Sequence, residues 1–293
     1  MNAAAVHRRR LGNELRRIRR TSGRTIAQVA AQAGWPTHKL SRIEHGRTGI
    51  GAGELRLLLD AHHVQGPARD ALLALQAPTS RGWAHDYGDV AGGTFAAYLA
   101  METQARAALT FSLAAVPGLL QHQSYAHCVL DSGQAIGVAT PHQVARRLEL
   151  RLHRQQRLRQ TDAQADPPAA PLRLAAVIDE STLWRAVGDP TVMESQMTHL
   201  LEQAELPNVD IRILPLEMAR RPVFGESFTV LEFAGELGLT DIAYLDGLAS
   251  PELYLGDGAQ LYRKSWNAMK DYALPPAESK QFIEHAVGKW RLR

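Results

Sequence analysis

The chain reads as two domains of different class: a small, mainly α-helical N-terminal domain of five helices, then a larger α/β or α+β domain. Three observations predict this. The 293 residues exceed the usual span of one domain. The charge is split, with 13 Lys and Arg against 5 Asp and Glu in residues 1–76 but 20 against 25 in residues 77–293. The hydrophobic pattern also changes, from short helical repeats alone to helices interleaved with strands. These shifts place the first domain at 1–76, a polar junction "APTSRGWAHDYGDV" at 77–90, and a second domain, expected to regulate and dimerise, at 91–293.

A basic head on an acidic body implies that only the head meets a polyanion. The single cysteine, Cys128, excludes an intramolecular disulfide. The most apolar run, "LTFSLAAVPGLL" at 109–120, is too short to span a bilayer and contains a proline. The N-terminal "MNAAAVHRRR" lacks the apolar core of a signal peptide. A cytoplasmic location is therefore expected, with no membrane partner.

In the head, Leu11, Leu15, Ile18 and Ser22 recur at helical spacing, which predicts a first helix over about 8–22 that Gly23 stops. Thr25 is placed to cap a second helix, "IAQVAAQ", burying Ile26, Val29, Ala30 and Ala33. Gly34 stands where a tight turn needs a left-handed residue. Trp35 plugs that turn, and Pro36, with its fixed φ, starts a third helix. The third helix turns Leu40 and Ile43 inward and leaves Thr37, His38, Lys39, Ser41, Arg42 and His45 outside, and Gly46 ends it. Two further helices, at 53–64 and 66–76, complete the five.

Counting from Ile26, the apolar sites of a helix-turn-helix fall on Val29, Trp35, Leu40 and Ile43. The small residue at the helix crossing is Ala30, and the turn glycine is Gly34. This segment resembles the helix-turn-helix of the phage-repressor (XRE/Cro) family, so the head is expected to be λ-repressor-like. The resemblance implies a recognition helix in the major groove, with Thr37, His38 and Arg42 reading base edges of a double-stranded DNA operator. Lys39, Ser41, Arg47 and Thr48 would hold phosphates. The family often has a phosphate-binding glutamine at the start of its second helix. Ile26 stands there, so Gln28 or Arg24 takes the contact instead. A family ion pair between helix 1 and the recognition helix maps to Arg19 and Glu44. One head reads one half-site, so a homodimer is expected.

In the body, helical patterns run over about 94–111, 122–131, 141–160, 191–206, 259–274 and 277–287. Strands are predicted at 172–178, 209–215, 227–233 and 241–246. The stretches "VPGLLQHQSYAHCVL" (116–130), "RLHRQQRL" (151–158), "VIDESTLWRAVGDPTVMESQMTHLLE" (177–202) and "PNVDIRILPLEMARRPVFGESFTVLEF" (207–233) resemble the C-terminal domain of the actinobacterial WhiJ-like regulators. That resemblance implies transcriptional control, with a small acidic protein as a further partner.

No phosphate-cradling loop, metal-ligand spacing or catalytic set is visible, so no cofactor, metal or enzymatic role is expected. Cys128 lies near His122 and His127 but reads as a structural cysteine. Asp179 and Ser181, after a strand, read as helix-capping residues. The helix at 141–160 carries Arg146, Arg147, Arg151, Arg154, Arg157 and Arg159 opposite Val144, Leu148, Leu152 and Leu158. Its arginines form a solvated face, a site for an anionic effector or acidic partner, for which Arg147, Arg151 and Arg154 are the candidates, or a contact with DNA flanking the operator.

Overall fold

The computed structural model describes residues 3–66, 69–70, 72–73, 86–159, 170–217, 225–233, 241–246 and 251–293, with side chains from Arg8 onward. The head contains α1 (Ala3–Thr21), α2 (Ile26–Gln32), α3 (Thr37–Glu44) and α4 (Ala52–Ala61). The predicted fifth helix, 66–76, and the junction, 77–90, lie largely outside the described residues, although Leu72 is buried in the head core. That core is built from Leu11, Leu15, Val29, Ala30, Leu40, Ile43, Leu55, Leu58 and Leu59, with Ile18, Ile26 and Trp35 partly buried against it. Burying side chains of this size stabilises by roughly 1.5–3 kcal/mol each.

The body comprises α5 (Gly93–Glu102), β1 (Ala107–Ser112), α6 (Gln123–Ala135), α7 (Pro141–Gln155), β2 (Arg173–Asp179) and a one-turn α8 (Ser181–Trp184). It continues through α9 (Pro190–Ala204), β3 (Val209–Leu214), β4 (Phe228–Glu232), β5 (Ile242–Leu245), β6 (Glu252–Leu255), α10 (Asp257–Tyr272) and α11 (Pro276–Arg291). Among the described residues it holds one mixed sheet of order β3-β2-β1-β4-β5-β6. β1, β2 and β3 are parallel, and β4, β5 and β6 add in antiparallel fashion. The parallel pairs are joined by helical crossovers, as such pairs require.

The helical stretch expected over 94–111 is two elements. The helix ends at Glu102, and the chain re-enters as β1, the strand at the centre of the sheet. Every residue of β1 is buried. A strand covered on both faces shows no alternation, so its apolar run cannot be told from a buried helix by pattern alone. β6, four residues long, is not among the strands expected from the sequence, whereas α8 starts at the expected capping residues, Asp179 and Ser181.

Ala108, Leu174, Ala176, Ile178, Ile211, Ile213 and Leu231 face a thick helical layer that includes Tyr98, Leu150, Met193, Met197, Ile283 and Trp290. Leu109, Phe111, Val177, Leu214, Phe228 and Val230 face the other way, against Trp266 and Met269 of α10. No described helix is long and apolar enough to cross a membrane.

The first helix of the head packs on the body as well as on its own core. α1 touches α5, and the guanidinium of Arg10 lies 3.7 Å over the ring of Phe233, next to the end of β4. Arg10 and Glu14, one turn apart, are both fully buried. Burial pushes the Arg10 guanidinium down to about 10, partly offset by Glu14. All three of its nitrogens lack a hydrogen-bond partner among the described residues.

Candidate nucleic-acid interface

The turn between α2 and α3 is assembled from local chemistry. Thr25 Oγ1 accepts from Gln28 N at 3.2 Å, and Gln28 Oε1 accepts from Thr25 N at 2.9 Å, a reciprocal cap that starts α2. Gly34 takes φ +68°, and Trp35 N then donates to Ala30 O at 2.8 Å, closing the turn. Arg24 braces this corner, donating to Ala61 O at 2.7 Å and to the Gln32 side chain.

α3 follows Pro36, burying Leu40, Ile43 and Glu44 and exposing Thr37, His38 and Arg42. Glu44 is held from beneath. Arg19 Nε and Nη2 donate to its two oxygens at 2.6 and 2.8 Å, tying α1 to α3 across 25 residues. That hydrogen bonding raises the Arg19 guanidinium above its ordinary value. The paired residues are therefore structural, and the bidentate geometry fixes α3 about its axis.

Two glycines allow α1 and α3 to approach. A Cβ on Gly12 would stand 2.4 Å from the carbonyl oxygen of Ile43, so only glycine fits where the helices cross. Gly46, with φ +64°, ends α3 and lies against Arg9, where a Cβ would meet the backbone at 2.6 Å. The chain beyond it, Arg47 and Thr48, is exposed, as are Arg8 and Arg9. This brings the start of α1 beside the end of α3, and two arginines that the sequence reading passed over join the same face. The legible signal was Gly12, a glycine inside a helical repeat.

Not every residue assigned to DNA is free. Lys39 Nζ is engaged by Glu54 at 2.5 Å and lies 4.4 Å from the Trp35 ring centre. Gln28 spends its carboxamide oxygen on the cap, leaving its NH₂ group, the donor a phosphate requires, at an exposed position. Ser41 is half-buried, and its carbonyl contacts His45 Nδ1 at 2.7 Å.

The body arginines are placed differently from the expectation of a ligand-facing stripe. Arg154 is inside the domain, donating to both oxygens of Glu102 at 2.8 and 2.7 Å. Tyr98, whose hydroxyl also donates to Glu102, and Phe95 lie beside it. Burial alone would lower the Arg154 guanidinium, but Glu102 carries it above its ordinary value. Arg151 is largely buried and donates to Gln121 Oε1 at 2.6 Å. Burial, then Arg154, pushes it down to about 10. Arg157 is buried, and Arg146 pairs with Asp89 and Glu149. Among the described residues, Arg147, which is half-exposed, and Arg159, which is exposed, have neither an ion-pair partner nor a buried position. The arginine helix is mainly internal scaffolding.

Elsewhere in the body, Asp179 Oδ1 accepts from Ser181 N at 3.0 Å and Ser181 Oγ at 2.6 Å, ordering the turn into α8. Cys128 is half-buried against Gly188.

A basic helical head with an exposed third helix, joined to a mixed-sheet body, is the architecture of a helix-turn-helix DNA-binding regulator. The helix-turn-helix domain family matches residues 10–72. Residues 95–285 match the family described as a domain of unknown function (DUF5753), and the chain belongs to that family. Neither a curated protein nor a solved structure matches the chain.

Proposed function

We propose that this protein is a sequence-specific, non-catalytic transcriptional regulator of the XRE type, resembling the actinobacterial WhiJ-like regulators and acting in the cytoplasm as a homodimer. Thr37, His38 and Arg42 read base edges in the major groove. Arg47, Thr48, Ser41 and the Gln28 amide hold phosphates, joined by Arg8 and Arg9. Lys39 joins them only by leaving Glu54. The body brings two heads together and takes the input, a ligand or a small acidic protein.

The observation that carries this reading is one of sides. The body holds the head through α1, by Arg10 on Phe233 and by contact with α5, while the outer face of α3 stays exposed. A head gripped from behind is oriented without being blocked.

The test is selection of duplexes from a random pool by the full chain, followed by a salt titration. A preferred, two-fold-related site is expected. If a dimer neutralises about 6–10 phosphates, affinity falls by roughly 10³–10⁵ between 50 and 200 mM salt. No preferred site, or a salt-insensitive complex, contradicts the reading.

A further inference from the structure

The sheet face covered by α10 is not covered evenly. At the starts of β1, β2 and β3 a cleft of about 390 Å³ opens between the sheet and α10, within the size range of small-molecule sites. Leu109, Ala175 and Trp266 supply the apolar part of a lining that is otherwise mainly polar. Trp266 is fixed, because its indole N–H donates to Thr110 O at 3.0 Å.

The polar groups of this lining are unbalanced. Asp210 is occupied by Arg212, and Glu232 by Arg263, which also binds Asp241 at 2.7 Å. Arg173 and Lys270 line the same cleft and have no carboxylate partner among the described residues. Lys270 instead lies 5.6 Å from the Trp266 ring centre. Two cations without carboxylate partners beside an apolar patch suit a small ligand that carries a negative group and some apolar surface.

Two walls of this cleft adjoin places where the body meets the head, apart from the α5 contact. Glu232, at the end of β4, lines it, and the next residue, Phe233, carries Arg10. α10 supplies Arg263, Trp266 and Lys270. Gly256, which leads into α10, lies so close to the head that a Cβ there would stand 3.9 Å from Asn13 Nδ2. A charge bound beside the Arg263–Glu232 pair therefore acts on both of these contacts with α1.

We propose that the cleft beneath α10 binds a small organic anion, a carboxylate, sulfonate or phosphate on an apolar or aromatic body, and that its occupancy alters the docking of α1. The coupling rests on the regulatory reading above; the binding does not.

The probe is 8-anilino-1-naphthalenesulfonate, an aromatic sulfonate, added to the full-length protein. Saturable binding with quenching of tryptophan emission is expected. The double variant Arg173→Ala, Lys270→Ala weakens it about tenfold or more, on the scale of one lost charge-assisted hydrogen bond. Lys270→Arg in an otherwise unaltered chain retains it, and Arg56→Ala, on the exposed side of α4, leaves it unchanged. Amide exchange over residues 8–21 changes on adding the probe to the wild type but not to the double variant. Equal probe affinity in wild type and double variant overturns the site. Probe binding lost in the double variant, with α1 exchange indifferent to the probe in the wild type, overturns the coupling alone. Failure to select any duplex contradicts the DNA-reading function while leaving the probe results standing.

Discussion

Arg19 and Arg154 do the same job in two parts of the molecule with different consequences. Each donates two hydrogen bonds to one carboxylate, Glu44 in the head and Glu102 in the body, and each joins helices distant in sequence. In the head the pair lies beneath a helix whose other face is exposed, so its product is the orientation of Thr37, His38 and Arg42. In the body the pair is enclosed with Phe95 and Tyr98 and ties the end of α5 to α7. The same charge chemistry thus builds a reading surface in one domain and an interior in the other. What separates them is whether the far side of the helix is left open.

The strongest way to break the comparison is to strip one carboxylate from each pair. Glu44→Ala or Glu102→Ala leaves a buried guanidinium uncompensated, at a cost of about 3–5 kcal/mol. Calorimetry should show Glu44→Ala lowering the head transition and abolishing DNA binding, with the body transition retained. Glu102→Ala should do the reverse, and the pair Glu102→Leu, Arg154→Met should recover most of the loss. Equal damage to both transitions by either single variant would mean that the domains do not divide as described.

A smaller effect belongs to Gly12. The methyl of Gly12→Ala meets a backbone carbonyl that cannot swing away, so the head should lose about 1–3 kcal/mol. Thermal denaturation followed by Trp35 fluorescence checks this. Smaller still, Arg10→Met keeps the contact with Phe233 and removes a buried guanidinium that makes no hydrogen bond among the described residues. Unfolding free energy should stay level or rise, by on the order of 1 kcal/mol. A clear drop would show that the guanidinium over the Phe233 ring stabilises more than its burial costs. The smallest expected effect is that of Arg47→Ala, which should weaken all duplexes alike and reduce the salt slope by about 1.

The head was legible because its constraints are local. Thr25, Gly34, Trp35 and Pro36 act within a few residues of themselves, and Leu40 and Ile43 share one short helix face. The body was less so. β1 is buried on both faces and carries no period to betray a strand. The arginines of α7 looked like a solvent or ligand face, because the residue that neutralises Arg154 stands 52 positions earlier, in a helix whose packing no local pattern announces. Arg10 illustrates the same limit. Its burial depends on Phe233, more than two hundred residues away.

The central claim is that α3 reads DNA while the body holds the head through α1 and leaves the outer face of α3 exposed. The most direct measurement is to repeat the duplex selection with wild-type protein and with Arg42→Ala. If Arg42 grips a guanine, preference should relax at one base pair in each half-site, by about 1–3 kcal/mol, with the rest of the motif intact. An unchanged motif in the Arg42→Ala selection would place the reading surface somewhere other than α3.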